Sequence, residues 1–210
     1  MFFNLIRTRY RGTLAITCIL LAFSTYVGQV RAATETPKQV VEAYYATLLD
    51  TMRNGPKLGY KGRYDRLATA VDKAFNVTVM AQQSVGTFWD QMTEAQRTEL
   101  VAAFRKFTIA NYAHSFDDYA GEQFLTAEEK ETPRKDVIVY TTLVKSDGDK
   151  VTLNYLLRQD GGDFKIIDIF LDGSISQLAT RRSEYTSIIR QSGIDALIAA
   201  IEKKAADLAN

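Results

Sequence analysis

The chain has 210 residues, 24% of them charged and 46% hydrophobic, with 26 basic against 25 acidic side chains and a formal net charge of +1. That balance leaves no strongly basic footprint for nucleic acid or an anionic membrane. One histidine, His114, and one cysteine, Cys18, are too few for a disulfide framework or for a zinc or copper centre.

At the N-terminus, Arg7, Arg9 and Arg11 precede an apolar run from Leu14 to Phe23, and Val30-Arg31-Ala32 offers a small-x-Ala cleavage site. This is the pattern of a secretory signal peptide over residues 1–32. The run is shorter than the roughly 20 residues a spanning helix needs, and nothing later is long and apolar enough to cross a bilayer. The expectation is a cleaved leader and a mature chain outside the cytoplasm, with an uncut anchor as the alternative. Cys18 lies inside the leader and lacks a lipoprotein context. Cutting after Ala32 leaves 178 residues, 33–210, without cysteine and, because the leader holds Arg7, Arg9, Arg11 and Arg31 but no acid, with a net charge of −3. A hydrophobic core alone must then hold a single domain that buries about 70% of its unfolded-chain surface.

The first half of the mature chain reads as helical. Thr36 is an N-cap with Pro37 at the first helical position, and Val40, Val41, Tyr44, Leu48 and Met52 recur at helical spacing until Asn54-Gly55-Pro56 stops the run. A second helix is expected over Tyr64 to Phe75, with Leu67, Val71 and Phe75 on one stripe, followed by short helical pieces around Val79 to Trp89. At Thr93 the sequence "TEAQ" fits a capping box, and the helix it starts carries Leu100, Phe104, Phe107, Asn111 and Ser115 on one face, with Val101, Thr108 and Tyr112 beside it, to an end near His114.

From about Glu122 to Asp172 the period becomes alternating. Four strands are expected, about Gln123 to Lys130, Lys135 to Lys145, Lys150 to Gln159 and Asp163 to Leu171, with "SDGD" and "QDGGD" as hairpin signals between the last three. The fold class is thus α+β, a four-stranded antiparallel meander covered by N-terminal and C-terminal helices. Two helices close the chain, about Ser174 to Arg190 and Ile194 to Asp207, broken at Gly193.

The strands are apolar on both sides. Strand two sets Val137, Val139 and Leu143 against Ile138, Tyr140 and Val144, and strand four sets Ile166 and Phe170 against Ile167, Ile169 and Leu171. An antiparallel strand with one wet face should alternate cleanly, so both faces are expected to be covered. The cover is either helices on one face and another helix or a subunit on the other, or in part an internal apolar pocket; a void and a packed helix demand the same residue types, so periodicity leaves both open.

Catalytic constellations are missing. Ser115 and His114 are neighbours on a helix and point to different faces. There is no nucleophile elbow, phosphate-binding loop or dinucleotide turn, and Asp117, Asp118 and Glu122 lack the spacing of a calcium loop. Neither a metal, a cofactor nor a catalytic residue is assigned. Asp168, in an apolar strand, is the one carboxylate to weigh as a general base, against pairing of Asp168 or Asp172 with Arg181 or Arg182 on the following helix.

The stretch "FKIIDIFLDGSISQLATRRSEYTSIIRQSGIDALIAAIEKK", Phe164 to Lys204, resembles the C-terminal signature of the MlaC/Ttg2D family of periplasmic lipid carriers. The segment from Leu58 to Phe124, and "NYLLRQDGGDFKIIDI", are similar to its hopanoid-associated branch, HpnM. The resemblance implies a periplasmic protein that carries a phospholipid or hopanoid in an internal apolar pocket. Its implied partners are an inner-membrane transporter of ABC or RND type and an outer-membrane acceptor. Candidate pocket walls are Phe88 and Trp89 from the short helical pieces, Phe104 and Tyr112 from the long helix, and Tyr140, Leu153, Tyr155, Ile167, Ile169 and Leu171 from both sheet faces. Ile175, Leu178, Tyr185 and Ile189 join them from the helix that follows. The competing readings are an enzyme on a cone-shaped α+β fold, with Asp168 or Tyr155 as its acid or base, and an adaptor that binds a transporter without cargo.

Overall fold

A computed structural model describes residues 34–209, so the leader, its cleavage site and Cys18 lie outside the described residues. Helix α1, Pro37–Arg53, starts where Thr36 and Gln39 satisfy each other: the Thr36 hydroxyl accepts from the Gln39 amide at 3.2 Å, and the Thr36 amide donates to Gln39 Oε1 at 2.8 Å. Its stripe of Val40, Val41, Tyr44, Tyr45, Leu48 and Met52 is buried. The Asn54-Gly55-Pro56 signal ends α1 but leaves no gap, because Pro56 opens the next helix instead of a loop. Helix α2, Gly55–Ala74, therefore begins well before the expected Tyr64, and it bends at Gly59, whose φ of 60° interrupts the helical backbone.

Helix α3, Val77–Val85, is capped by Asn76, whose side chain accepts from the Val79 amide at 2.9 Å, and runs into a 3₁₀ turn, Gly86–Gln91. The long helix α4, Glu94–Ser115, begins at the Thr93–Gln96 capping box. It lies against α2, α3 and α6, which explains why Leu100, Ala103, Phe104, Phe107, Ile109, Ala110 and Ala113 are buried on more than one side of it.

The sheet has five strands, all antiparallel and in chain order: β1 Gln123–Glu131, β2 Val137–Val144, β3 Lys150–Asp160, β4 Asp163–Leu171 and β5 Ile175–Ser176. Four were expected. The fifth arises because Asp172 and Gly173 take φ of 48° and 81°, which reverses the chain tightly enough to pair Phe170 with Ser176 and Leu171 with Ile175. Helix α5, Gln177–Ser192, consequently starts three residues later than expected, on Ser176 as N-cap. Gly193, with φ of 89°, separates it from α6, Ile194–Asp207.

A bulge corrects the assignment of residues to faces. Leu157 pairs with Ile166 and Leu156 with Asp168, so Ile167 is an extra residue and Ile166 shares a face with Ile169 and Leu171, not with Phe170. Val139, Tyr155, Leu157 and Ile166 join the main core on the helix side of the sheet. The opposite face carries Ile138, Tyr140, Leu156 and Phe170, all part-buried and none packed on that core. The expectation that both faces are fully covered is not met among the described residues. The Arg158 and Arg182 side chains border the apolar residues there and supply aliphatic stems in place of a second helical layer.

Candidate functional site

On the helix side of the sheet, α1, α4 and α5 do not close completely over β3 and β4. They leave a cavity of about 270 Å³. Leu153, Tyr155, Ile169 and Leu171 form its floor, because residues two apart on paired strands share a face. Phe124 from β1, Leu48 from α1, Met80 from α3, and Phe75 and Phe116 from the connecting segments add apolar wall. From α4 come Phe104, Thr108, Asn111, Tyr112 and Ser115, a set spaced by three and four residues and so on one helix face. Gln177, Leu178 and Arg181 come from α5.

The core behind the cavity lining is aromatic. Tyr44 meets Phe75 and Tyr112 edge-on at 5.0 and 5.4 Å between ring centres, Tyr45 meets Tyr155 edge-on at 5.5 Å, and Tyr45 stacks on Phe124 at 4.4 Å. The Tyr45 hydroxyl is 2.7 Å from that of Thr141, where the β2–β3 ladder opens and the Asn154 side chain accepts the Thr141 amide in place of a strand carbonyl. Burial pushes the hydroxyls of Tyr44 and Tyr155 well above their ordinary 10.0, and the neighbouring Tyr112 adds to the push. Tyr45 and Tyr112 are raised for the same first cause. All four are neutral at physiological pH, so Tyr112 and Tyr155, the two that line the cavity, present rings and undissociated hydroxyls.

Of the residues proposed from sequence, the cavity brings together Phe104, Tyr112, Leu153, Tyr155, Ile169, Leu171 and Leu178. The others stand elsewhere. Tyr140 and Ile167 belong to the opposite sheet face, and the bulge at Ile167 is what turns it there. Ile175 is 52% exposed on β5, since it pairs at the sheet edge before the helix begins. Tyr185 and Ile189 are core residues of α5, and Phe88 lines a shallow groove against that helix. Trp89 lies beneath the Arg97 guanidinium, 5.3 Å from the ring centre. Sequence reasoning missed Leu48, Phe75, Met80, Phe116, Phe124 and Arg181. The signal that existed was the polar pair Thr108 and Asn111 on an otherwise oily stripe of α4, which is what a helix shows where it faces neither pure core nor open solvent.

Asp168 has a structural employment. Its carboxylate accepts from the Leu178 amide at 3.1 Å, from its neighbour Ile169 at 2.7 Å and from the Ser176 hydroxyl, which in turn caps Ala179 at 2.9 Å. It ties β4 to the first turn of α5, where the helix dipole favours a negative charge. Neither Arg181 nor Arg182 pairs with it. Arg182 Nε donates to the Gln83 carbonyl at 2.6 Å, and Arg181 turns into the cavity.

The chain matches the MlaC protein family over residues 42–203. In fold it is similar to a phospholipid-binding protein from Ralstonia solanacearum, solved in complex with a phospholipid, with a TM-score of 0.74 at 19% sequence identity. The likeness covers 84% of this chain and 100% of that one.

Proposed function

Since the chain belongs to the MlaC family, we propose that it is an exported lipid-binding protein of the periplasm that carries one lipid molecule between the inner and outer membranes. The observation that carries this reading is the cavity of apolar and aromatic side chains between the sheet and α1, α4 and α5. Each CH₂ withdrawn from water is worth about 0.8 kcal/mol, so a ~16-carbon chain crossing an aqueous compartment alone costs on the order of 10 kcal/mol. A carrier must supply equivalent shelter and needs no reaction to do so. The phospholipid held by the Ralstonia protein of the same fold supports phospholipid as the ligand class. The likeness of Leu58 to Phe124 to the HpnM branch adds a hopanoid as the second candidate cargo. Under this reading residues 1–32 direct export, residues 33–210 are the carrier, and the partners are an inner-membrane transporter of ABC or RND type and an outer-membrane acceptor.

The test is native mass spectrometry, with lipid extraction, of the protein purified from the periplasm of a hopanoid-producing bacterium. A bound phospholipid or hopanoid mass is the expected result. Protein that emerges empty, and stays empty after incubation with vesicles of total lipid from the same cells, refutes the carrier and leaves an adaptor without cargo.

A further inference from the structure

The largely apolar lining of the cavity holds one charged side chain. Arg181 reaches it from α5 and is only part-exposed, its guanidinium carbon 4.6 Å from the ring centre of Phe107 and 5.9 Å from that of Phe104. The contacts with the two rings offset part of its desolvation but satisfy none of its five N–H donors. Several other arginines are committed. Arg63 donates to the carbonyls of Ala113 and Gly55, Arg105 forks onto Asp72, Arg158 forks onto Asp136, and Arg182 holds Gln83. Among the described residues Arg181 makes neither an ion pair nor a hydrogen bond to a carbonyl or carboxylate, and its hydrogen-bonding neighbour is the uncharged Tyr185 hydroxyl. The acids that its helix could offer are taken: Glu184 pairs with Lys204, and Asp168 is consumed by the start of α5. Thr108 and Asn111, on the same face of α4 as Phe104 and Phe107, also line the cavity and extend its polar side.

A guanidinium without a counter-ion beside an oily cavity costs stability unless a ligand completes it, and its planar fork matches the oxygens of a phosphate. Resting on the carrier reading, we propose that Arg181 is a head-group anchor. It holds the phosphate of a lipid at the rim while the acyl chain lies on the floor of Leu153, Ile169 and Leu171, and so selects a phosphate-bearing lipid over a neutral one with the same chain. By this rule a neutral polycyclic lipid is the poorer cargo.

The experiment compares oleoyl lysophosphatidic acid with 1-monooleoylglycerol, two single-chain lipids that differ in the phosphate, each titrated calorimetrically into delipidated protein below its aggregation concentration. A charge-assisted hydrogen bond predicts a preference for the phosphate of about tenfold or more. That ratio should fall toward one in Arg181→Gln, recover in part in Arg181→Lys, which restores charge without the fork, and shrink in the parent protein as salt is raised. A ratio near one in the parent protein, a preference indifferent to salt, or a preference that Arg181→Gln leaves intact overturns the anchor while leaving the carrier standing. Binding of neither lipid removes the carrier reading and the anchor with it. If Arg181→Gln does not fold, the parent ratio and its salt dependence still decide.

Discussion

Tyrosine hydroxyls packed against one another titrate only when something releases them. Tyr44, Tyr45, Tyr112 and Tyr155 all have their ionisation pushed above the ordinary 10.0, with burial the largest cause in each. A raised value means that the folded state holds its proton more tightly than the unfolded chain does. The contribution to stability is therefore intact below about pH 10 and declines as pH rises past the unfolded value toward the folded ones. Urea midpoints should be flat from neutrality up to that point and then drop steeply. The ultraviolet absorbance of tyrosinate from this group should appear together with the loss of ellipticity. Smooth titration of the four hydroxyls in still-folded protein would show that water reaches them. The residue types were visible in the sequence, but their meeting was not: Tyr44 and Tyr45 come from α1, Tyr112 from α4 and Tyr155 from β3.

At the scale of elements, what positions the cavity wall is the way α2 is clamped to the end of α4. Gly55 sits so close to the segment after α4 that a Cβ there would stand 1.9 Å from the Asp117 carbonyl oxygen. Arg63, two turns along α2, donates to the Gly55 carbonyl at 3.2 Å and to the Ala113 carbonyl at 2.8 Å, one of the free carbonyls at the end of α4. Gly55→Ala must push backbone against backbone, so it should cost about 1–3 kcal/mol, read as a lower urea midpoint at unchanged slope. An equal midpoint would mean that the two segments separate freely. The sequence marked Asn54-Gly55-Pro56 as a stop, which is correct for α1. It did not reveal that the glycine was there to admit another segment's backbone, since close approach has no local signature. In the same way Asp172-Gly173 was legible as a turn, but whether the chain beyond it pairs or coils depends on the register of β4.

For the whole molecule the deciding quantity is the cavity's size. About 270 Å³ is below the ~300–1,000 Å³ usual for small-molecule sites, so the helices must part from the sheet to admit a lipid with two chains. Ligand that binds only the folded state at a hundredfold excess over its Kd adds about 2.7 kcal/mol. For a chain of this length each kcal/mol raises Tm by about 2–4 °C, so lipid-loaded protein should melt about 5–10 °C above the delipidated form. Ile169→Asp, which sets a charge on the cavity floor, should abolish that difference, provided circular dichroism shows the variant folded, since a buried charge also lowers the baseline. A full shift in that variant would mean that the lipid lies elsewhere.

Local chemistry was readable from the chain alone: the capping boxes at Thr36 and Thr93, the helical stripes of α1 and α4, the hairpin glycines, and the change of period that marks an α+β fold. These follow from interactions among residues a few positions apart, and such spacing is written in the sequence. Three things were decided only by the tertiary structure. The bulge at Ile167 reassigned one strand's faces, the helices left an aromatic-lined cavity on their side of the sheet, and Asp168 went to the start of α5, leaving Arg181 without a counter-ion among aromatic rings. Each depends on which distant partner reaches a group first, and a charge or an apolar face looks the same in sequence whether its partner is protein, ligand or water.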